Sequence, residues 1–328
     1  MKSKILFLLL LTGSVILLSF IREGKTLPVL SKKDFNIAVI SDLNSGYGSI
    51  LYHDDVYVAL KELKTLKPDM ILCGGDMVAG QKASLTEENL QAMWNSFDVN
   101  VFAKIKAMKV PFAFTVGNHD ASPNFTKDRE AASRYWLSKK DSLGLDFISD
   151  ENYPFYFSYT NNKVFFISWD ASGAQIKPEV LNWMQEQLNS KAARTAKLRI
   201  VLGHLPLYAI VSSKNKAGEV LASATMLEEM FEQHHVDLYI SGHQHAYYPS
   251  KRKTLRLLNA GCIGDGPRPF INHPEPAKRA YTIISVPQNQ AKKFTYQTFI
   301  PAKNSTIEIK NLPDSITGFN GVSRLDKY

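Results

Sequence analysis

The chain has 328 residues and a formal net charge of +8. That length permits one large core, and two cysteines are too few for a disulfide framework,. The basic residues are scattered apart from a cluster at 251–253 that reads as a solvated loop, so no nucleic-acid module is expected, although the basic balance could draw in an anionic substrate,.

Taken in order, Lys2 and Lys4 precede an apolar run over 5–20, and Arg22, Glu23 and Lys25 follow it. This pattern reads as a targeting segment, so residues 1–25 are expected to be a signal peptide or an N-terminal membrane anchor. The protein is then exported: periplasmic, secreted, or anchored facing outside the cytoplasm, touching a membrane only through this segment if it stays uncleaved. The run is short for a span, and Ser19-Phe20-Ile21 matches a small-residue cleavage site poorly, so both outcomes stay open,. A single domain is expected over 34–300, with 301–328 as a C-terminal extension.

Five short apolar runs then end abruptly in polar residues. Residues 37–41 lead into Asp42-Leu43-Asn44, 70–73 into Gly74-Gly75-Asp76, and 110–116 into Gly117-Asn118-His119-Asp120. Further on, 198–202 lead into Gly203-His204, and 236–240 into Ser241-Gly242-His243-Gln244-His245. Such runs suit buried strands, and open α/β sheets bind ligands beyond the carboxyl ends of their strands. Helical patterns connect them over 53–67, 86–108 and 127–139, the last with Trp136 and Leu137 as core residues. A hairpin is expected around 161–163, an amphipathic helix at 181–188, and late strands at 254–258, 280–286 and 294–300. Alternation followed by antiparallel strands implies two packed sheets with helices outside.

Five strands ending in Asp, Asn or His make a metal site the economical reading. Asp76 follows two glycines, which let a carboxylate approach cations closely, and it could bridge two metals. Asp42, His204, His243 and His245 are ligand types that Mn, Fe and Zn accept, and Asn118 could add a carbonyl oxygen. His243 and His245, two apart on an extended segment, would face the same way. His53, His234, His235 and His273 read as ordinary histidines. Cys73 and Cys262 read as buried thiols, their pairing open.

In this order the five blocks resemble those of the calcineurin-like metallophosphoesterases, over residues 36–286; Gly117-Asn118-His119-Asp120 and Gly242-His243-Gln244-His245 are the specific parts. The resemblance implies a four-layer α/β/β/α sandwich of two packed mixed sheets with two divalent ions, Mn, Fe or Zn, at the sheet edges. One ion would be held by Asp42, Asp76 and His245, the other by Asp76, Asn118, His204 and His243. A hydroxide between them would attack phosphorus in line, and His119, beside the site, would protonate or stabilise the leaving group. The expected activity is metal-dependent hydrolysis of a phosphomonoester or phosphodiester, on a phosphorylated small molecule or lipid. The alternative is an inactive relative that binds a phosphorylated ligand or partner; His119, not needed for metal, favours the enzyme.

One block departs from the family. Where the family has Asp-x-His the chain has Asp42-Leu43-Asn44, and Asn44 offers a neutral oxygen in place of imidazole, so the first metal should bind more weakly and tolerate Zn less well. A purple-acid-phosphatase reading is disfavoured because residues 77–80 hold no tyrosine. Specificity is expected from loops at 45–55, 208–218, 247–253 and 261–269. The last could aim Arg268 at a phosphate bidentately, beside Asn118, or be only a Gly/Pro-rich turn.

Overall fold

The computed structural model describes residues 27–328, and the targeting segment read at 1–25 lies outside them. Among the described residues no helix is long and apolar enough to cross a membrane.

Two mixed sheets form the centre. The six-stranded sheet runs from edge to edge as Ser305–Thr306, Thr295–Ile300, Tyr281–Pro287, Asp34–Ile40, Met70–Cys73 and Phe112–Phe114. The nine-stranded sheet runs Ser315–Gly318, Gly321–Leu325, Tyr247–Arg252, Leu255–Ala260, Leu238–Ser241, Leu198–Leu202, Val164–Ser168, Phe157–Asn161 and Asp146–Ser149. All five expected site-bearing runs are strands. Asp34–Ile40, Met70–Cys73 and Phe112–Phe114 lie parallel in one sheet, and Leu198–Leu202 lies parallel to Leu238–Ser241 in the other. Their carboxyl ends therefore meet along one rim.

Residue alternation explains the layering. In the larger sheet Val164, Phe166, Leu198, Ile200, Leu202, Leu238 and Ile240 share a core with the smaller sheet. Their neighbours Phe165, Ile167, Val201 and Tyr239 point the other way and pack with Val180, Trp183, Met184, Leu227 and Phe231 from helices Pro178–Leu188 and Ala224–Gln233. Strand side chains alternate between faces, so runs apolar at every position are covered on both sides. The smaller sheet is covered outside by helix Asp54–Leu66, capped by the His53 ring and buried through Val56, Ala59, Leu60 and Leu63. The four layers are those expected, helix on sheet on sheet on helix.

Several expectations change in detail. Leu137 is 57% exposed, because helix Thr126–Leu137 turns Ala131, Ala132 and Trp136 inward and a neighbour one residue on lies about 100° further round,. Trp136 itself stacks on Phe114 with ring centroids 3.7 Å apart. The helix expected over 86–108 is interrupted: Glu87–Phe97 passes through a wider π-type turn, Asp98–Phe102, into Ala103–Lys106,. Residues 247–253 are no loop over the site but mostly the strand Tyr247–Arg252, paired with Leu255–Ala260 and closed by Lys253 at φ 49°. The stretch 301–328 does not trail behind the domain. Ser305–Thr306 extends the smaller sheet and Gly321–Leu325 pairs with Tyr247–Arg252, where Asp326 forms a buried ion pair with Arg256. Cys73 and Cys262 are both buried free thiols.

Candidate metal centre

The site is assembled where the strand ends of the two sheets touch. After strand Asp34–Ile40 the chain turns so that Asp42 N–H donates to Gly75 O at 3.0 Å and Leu43 N–H to Asp76 O at 2.9 Å. The sheets are joined by His243 N–H, which donates to Asp42 Oδ1 at 3.0 Å. Two glycines permit this closeness. Gly75 has φ +94°, and a Cβ there would lie 2.7 Å from Gly117 N and from His204 Nδ1; a Cβ on Gly242 would lie 2.7 Å from Asp42 Oδ2. Asp42, Asp76, His243 and His245 hold left-handed backbone, with φ of 51°, 56°, 66° and 54°. Such conformations cost about 1–3 kcal/mol each and persist where the surroundings fix them.

The side chains converge as two buried groups, Asp42, Asp76 and His245, and Asp76, His204 and His243, with one ligand atom from each residue of a group lying within 4.8 Å of the others. Asp76 belongs to both. Each histidine has one ring nitrogen tied outward: His204 Nδ1 donates to Gly74 O at 2.7 Å, His245 Nδ1 to Gly266 O at 3.0 Å, and His243 Nε2 faces Glu219 Oε2 at 2.8 Å. The other nitrogen faces inward. His204 Nε2 lies 3.3 Å from Asp76 Oδ2, and His245 Nε2 lies 3.2 Å from Asp42 Oδ1. An outer partner that fixes tautomer and ring orientation is the usual support of a metal-binding histidine. Asn118 Oδ1 lies 3.0 Å from His204 Nε2 and 2.8 Å from His243 Nδ1, while its Nδ2 donates to Gln81 Oε1 at 2.6 Å and so keeps the oxygen turned inward.

Whether these residues fit a metal is tested by an orphan. Asp76 Oδ2 is fully buried and takes no hydrogen bond, although the same carboxylate accepts His119 N–H through Oδ1 at 2.9 Å. Its nearest donor-capable neighbour is His204 Nε2 at 3.3 Å, so this buried oxygen depends on a cation, either the charged His204 ring or a metal in place of its proton, and the donor set fits a metal,. Electrostatics agree. Burial opposes ionisation of Asp76, yet the charges of His204 and His119 hold its pKa well below the usual carboxylate range. Burial also opposes ionisation of Asp42, which His245 keeps low. Burial works against a charged His204 ring, but the Asp76 carboxylate pushes its pKa up to about 9. Burial, and then the Lys214 ammonium, push His243 well down.

The remaining expected residues fall differently. Asn118, His119 and Asp120 do not sit side by side on a strand tip: Asn118–Ala121 is one helical turn after Gly117. Asp120 turns inward, accepting N–H from Met77, Val78 and Gly117 at 2.8, 3.0 and 2.8 Å, and burial with the nearby Asp76 charge raises its pKa to about 7. His119 is half-buried and lines a cleft of about 590 Å³, with Nδ1 3.2 Å from Gly80 O. Asn44 is buried, its N–H donating to Asp76 O at 3.2 Å and its carbonyl accepting from Asp265 N–H at 3.1 Å. Arg268 reaches the cleft, and its Nη1 donates to Ser213 Oγ at 3.1 Å.

Sequence reasoning missed Tyr47, Gln81, Lys214 and Glu219, which share the cleft wall. Tyr47 packs on His119 with ring centroids 5.0 Å apart. Lys214 is buried with Nζ 3.2 Å from His243 Nδ1. Burial lowers its pKa, Asp76 and Asp42 oppose that, and Arg268 adds to it. Two of the four lie in stretches already marked as specificity loops, Tyr47 in 45–55 and Lys214 in 208–218, but no local pattern separates them from their neighbours.

The family model described as calcineurin-like phosphoesterase matches residues 35–247. Phosphoenolpyruvate phosphatase of Allium cepa is 26% identical over 291 residues, covering 84% of this chain and 56% of that protein. Among solved structures, a purple acid phosphatase of yellow lupin, Lupinus luteus, has a TM-score of 0.61 at 12% identity, covering 84% of this chain and 53% of that one. A dimetal phosphatase from Danio rerio has a TM-score of 0.53 at 16% identity, covering 76% and 92%. These two likenesses show the fold. The chain spans a little over half the length of the curated relatives it matches. Purple acid phosphatases are among the proteins that the chain resembles, the Fe(3+)-Zn(2+) enzyme of Arabidopsis thaliana at 23% identity over 302 residues. The tyrosine whose absence set a purple-acid-phosphatase reading aside is still missing, since residues 77–80 are Met, Val, Ala and Gly.

Proposed function

The chain belongs to the calcineurin-like phosphoesterase family, and on that premise we propose that it is a metal-dependent hydrolase of phosphoric esters. The observation that carries this is Asp76: one carboxylate shared by two buried Asp/His groups, with an oxygen that takes no hydrogen bond and faces only His204 Nε2 at 3.3 Å. Asp42, Asp76 and His245 would hold one divalent ion, and Asp76, Asn118, His204 and His243 the other, drawn from Mn, Fe or Zn. Asn44, in the place where the family has histidine, would make the first of these the weaker site. Bound there, the ions supply Lewis-acid activation of water and of the phosphoryl oxygens.

The chain's own groups do the rest. Gly80 O fixes the Nδ1–H of His119, which leaves Nε2 as the nitrogen that hands a proton to the leaving oxygen,. Gln81 holds the Asn118 amide so that its oxygen stays on the metal side. Arg268, at the cleft wall, meets a phosphoryl oxygen,. The substrate is a phosphorylated small molecule or lipid, and the pattern at 1–25 supports a place outside the cytoplasm,. An aryl phosphate and its diester analogue, assayed with Mn, Fe or Zn and again after chelation, test the reading. Metal-dependent turnover of at least one ester is expected; a protein that binds two metals and hydrolyses neither is not a hydrolase of this kind.

A further inference from the structure

Lys214 belongs to none of the five blocks, yet it is one of the most enclosed cations of the chain, 8% exposed at the wall of the cleft. Among the described residues no carboxylate lies within ion-pair distance of it. Its ammonium instead sits 3.2 and 3.5 Å from the two ring nitrogens of His243. Of these, Nε2 is engaged by Glu219 and Nδ1 faces Asn118 Oδ1 at 2.8 Å, so an ammonium nearly equidistant from both nitrogens lies on the lone-pair axis of neither. The imidazole therefore gives the Lys214 protons no well-directed acceptor,. The adjoining residue, Ser213, accepts from Arg268 Nη1 at 3.1 Å, and Arg268 Nε is buried without a hydrogen-bond partner. Two cations from different loops are thus held at one wall with donors unspent, and the carboxylates whose charges reach Lys214 (Asp76, Asp42 and Glu219) make no direct ion pair with it,.

A ligand that meets both must bring oxygen acceptors and negative charge. A phosphomonoester dianion presents three terminal oxygens and two charges. A diester has one charge, and its second ester substituent takes the place of a terminal oxygen. We infer that Lys214, together with Arg268, forms the terminal-oxygen subsite and selects phosphomonoester dianions over diesters. This rests on the phosphoester-hydrolase reading and narrows its substrate class.

The test compares metal-loaded wild type with Lys214→Gln, Lys214→Met and Arg268→Gln, each checked for cooperative melting and metal content. Binding of inorganic phosphate is measured by calorimetry, and kcat/KM is measured for an aryl phosphate and for its bis-aryl diester. Wild type should prefer the monoester. The Lys214 variants should bind phosphate about ten- to a hundredfold more weakly, with the monoester-to-diester ratio narrowing by a similar factor and metal content unchanged. Arg268→Gln should shift both in the same direction. Unchanged phosphate affinity in folded variants, equal loss on the two esters, or loss of metal from the Lys214 variants overturns the assignment. Wild type that turns over neither ester, yet binds phosphate in a Lys214-dependent way, supports the subsite and sinks the hydrolase reading instead.

Discussion

The carboxylate of Asp76 accepts the backbone N–H of His119 at 2.9 Å through Oδ1, while its other oxygen is turned toward His204 Nε2 at 3.3 Å. One side chain therefore sets the distance between the metal-type ligands and the residue assigned to the leaving group. Because the bond to His119 comes from its backbone, the imidazole can be removed without untying Asp76.

His119→Ala should keep its metal content and lose turnover by about a hundredfold or more on esters with poor leaving groups. An alkyl phosphate should suffer more than an activated aryl phosphate. Equal losses on both would remove the proton-donor role from His119.

Asp76→Ala should lose both ions together, since the carboxylate belongs to both groups, whereas His204→Ala should lose mainly one. Elemental analysis of the purified variants decides. One ion retained in Asp76→Ala would mean that the two groups do not share this ligand.

Dialysis against a mild chelator should empty the group beside Asn44 first, ending activity while one ion remains. Asn44→His should tighten that ion and shift its preference toward Zn. The loop is already tied down through the backbone of residue 44, so the exchange tests the side chain alone. Metal affinity that is identical in wild type, Asn44→His and Asn44→Ala would put position 44 outside the coordination shell.

Metal uptake should release protons. In the metal-free protein His204 has its pKa raised to about 9, so its ring is charged at pH 7 to 8 and becomes neutral only as pH rises through 9. A metal requires the neutral ring, so affinity at this group should fall about tenfold per pH unit below that value. Asp76, held low, is already ionised there and adds no proton. Calorimetry in buffers of different ionisation enthalpy should find about one proton released per ion bound at this group. No proton release at pH 7.5 would show that the ring is neutral before the metal arrives.

The architecture was legible because its signals are local. Runs such as 37–41 and 198–202 are apolar at nearly every position, which only a strand covered on both faces tolerates, and each stops at a glycine or polar residue where the sheet ends,. That grammar also singled out Asp42, Asp76, Asn118, His204, His243 and His245, because side chains just past parallel strands share one rim. Leu137 and the strand Tyr247–Arg252 escaped it, since which face of a helix is covered and which edge finds a partner are settled by neighbours distant in the chain.

Tertiary structure alone decided the rest. It brought His243 to Asp42 across 201 positions and chose the ring nitrogen of each histidine that faces inward through Gly74 O, Gly266 O and Glu219. It also carried Lys214, an unremarkable lysine in a polar loop, to within 3.2 Å of His243. Sequence pattern records what a residue shares with its neighbours along the chain, whereas the charge and hydrogen bonds a side chain meets depend on distances in space that are fixed only when the two sheets close on each other.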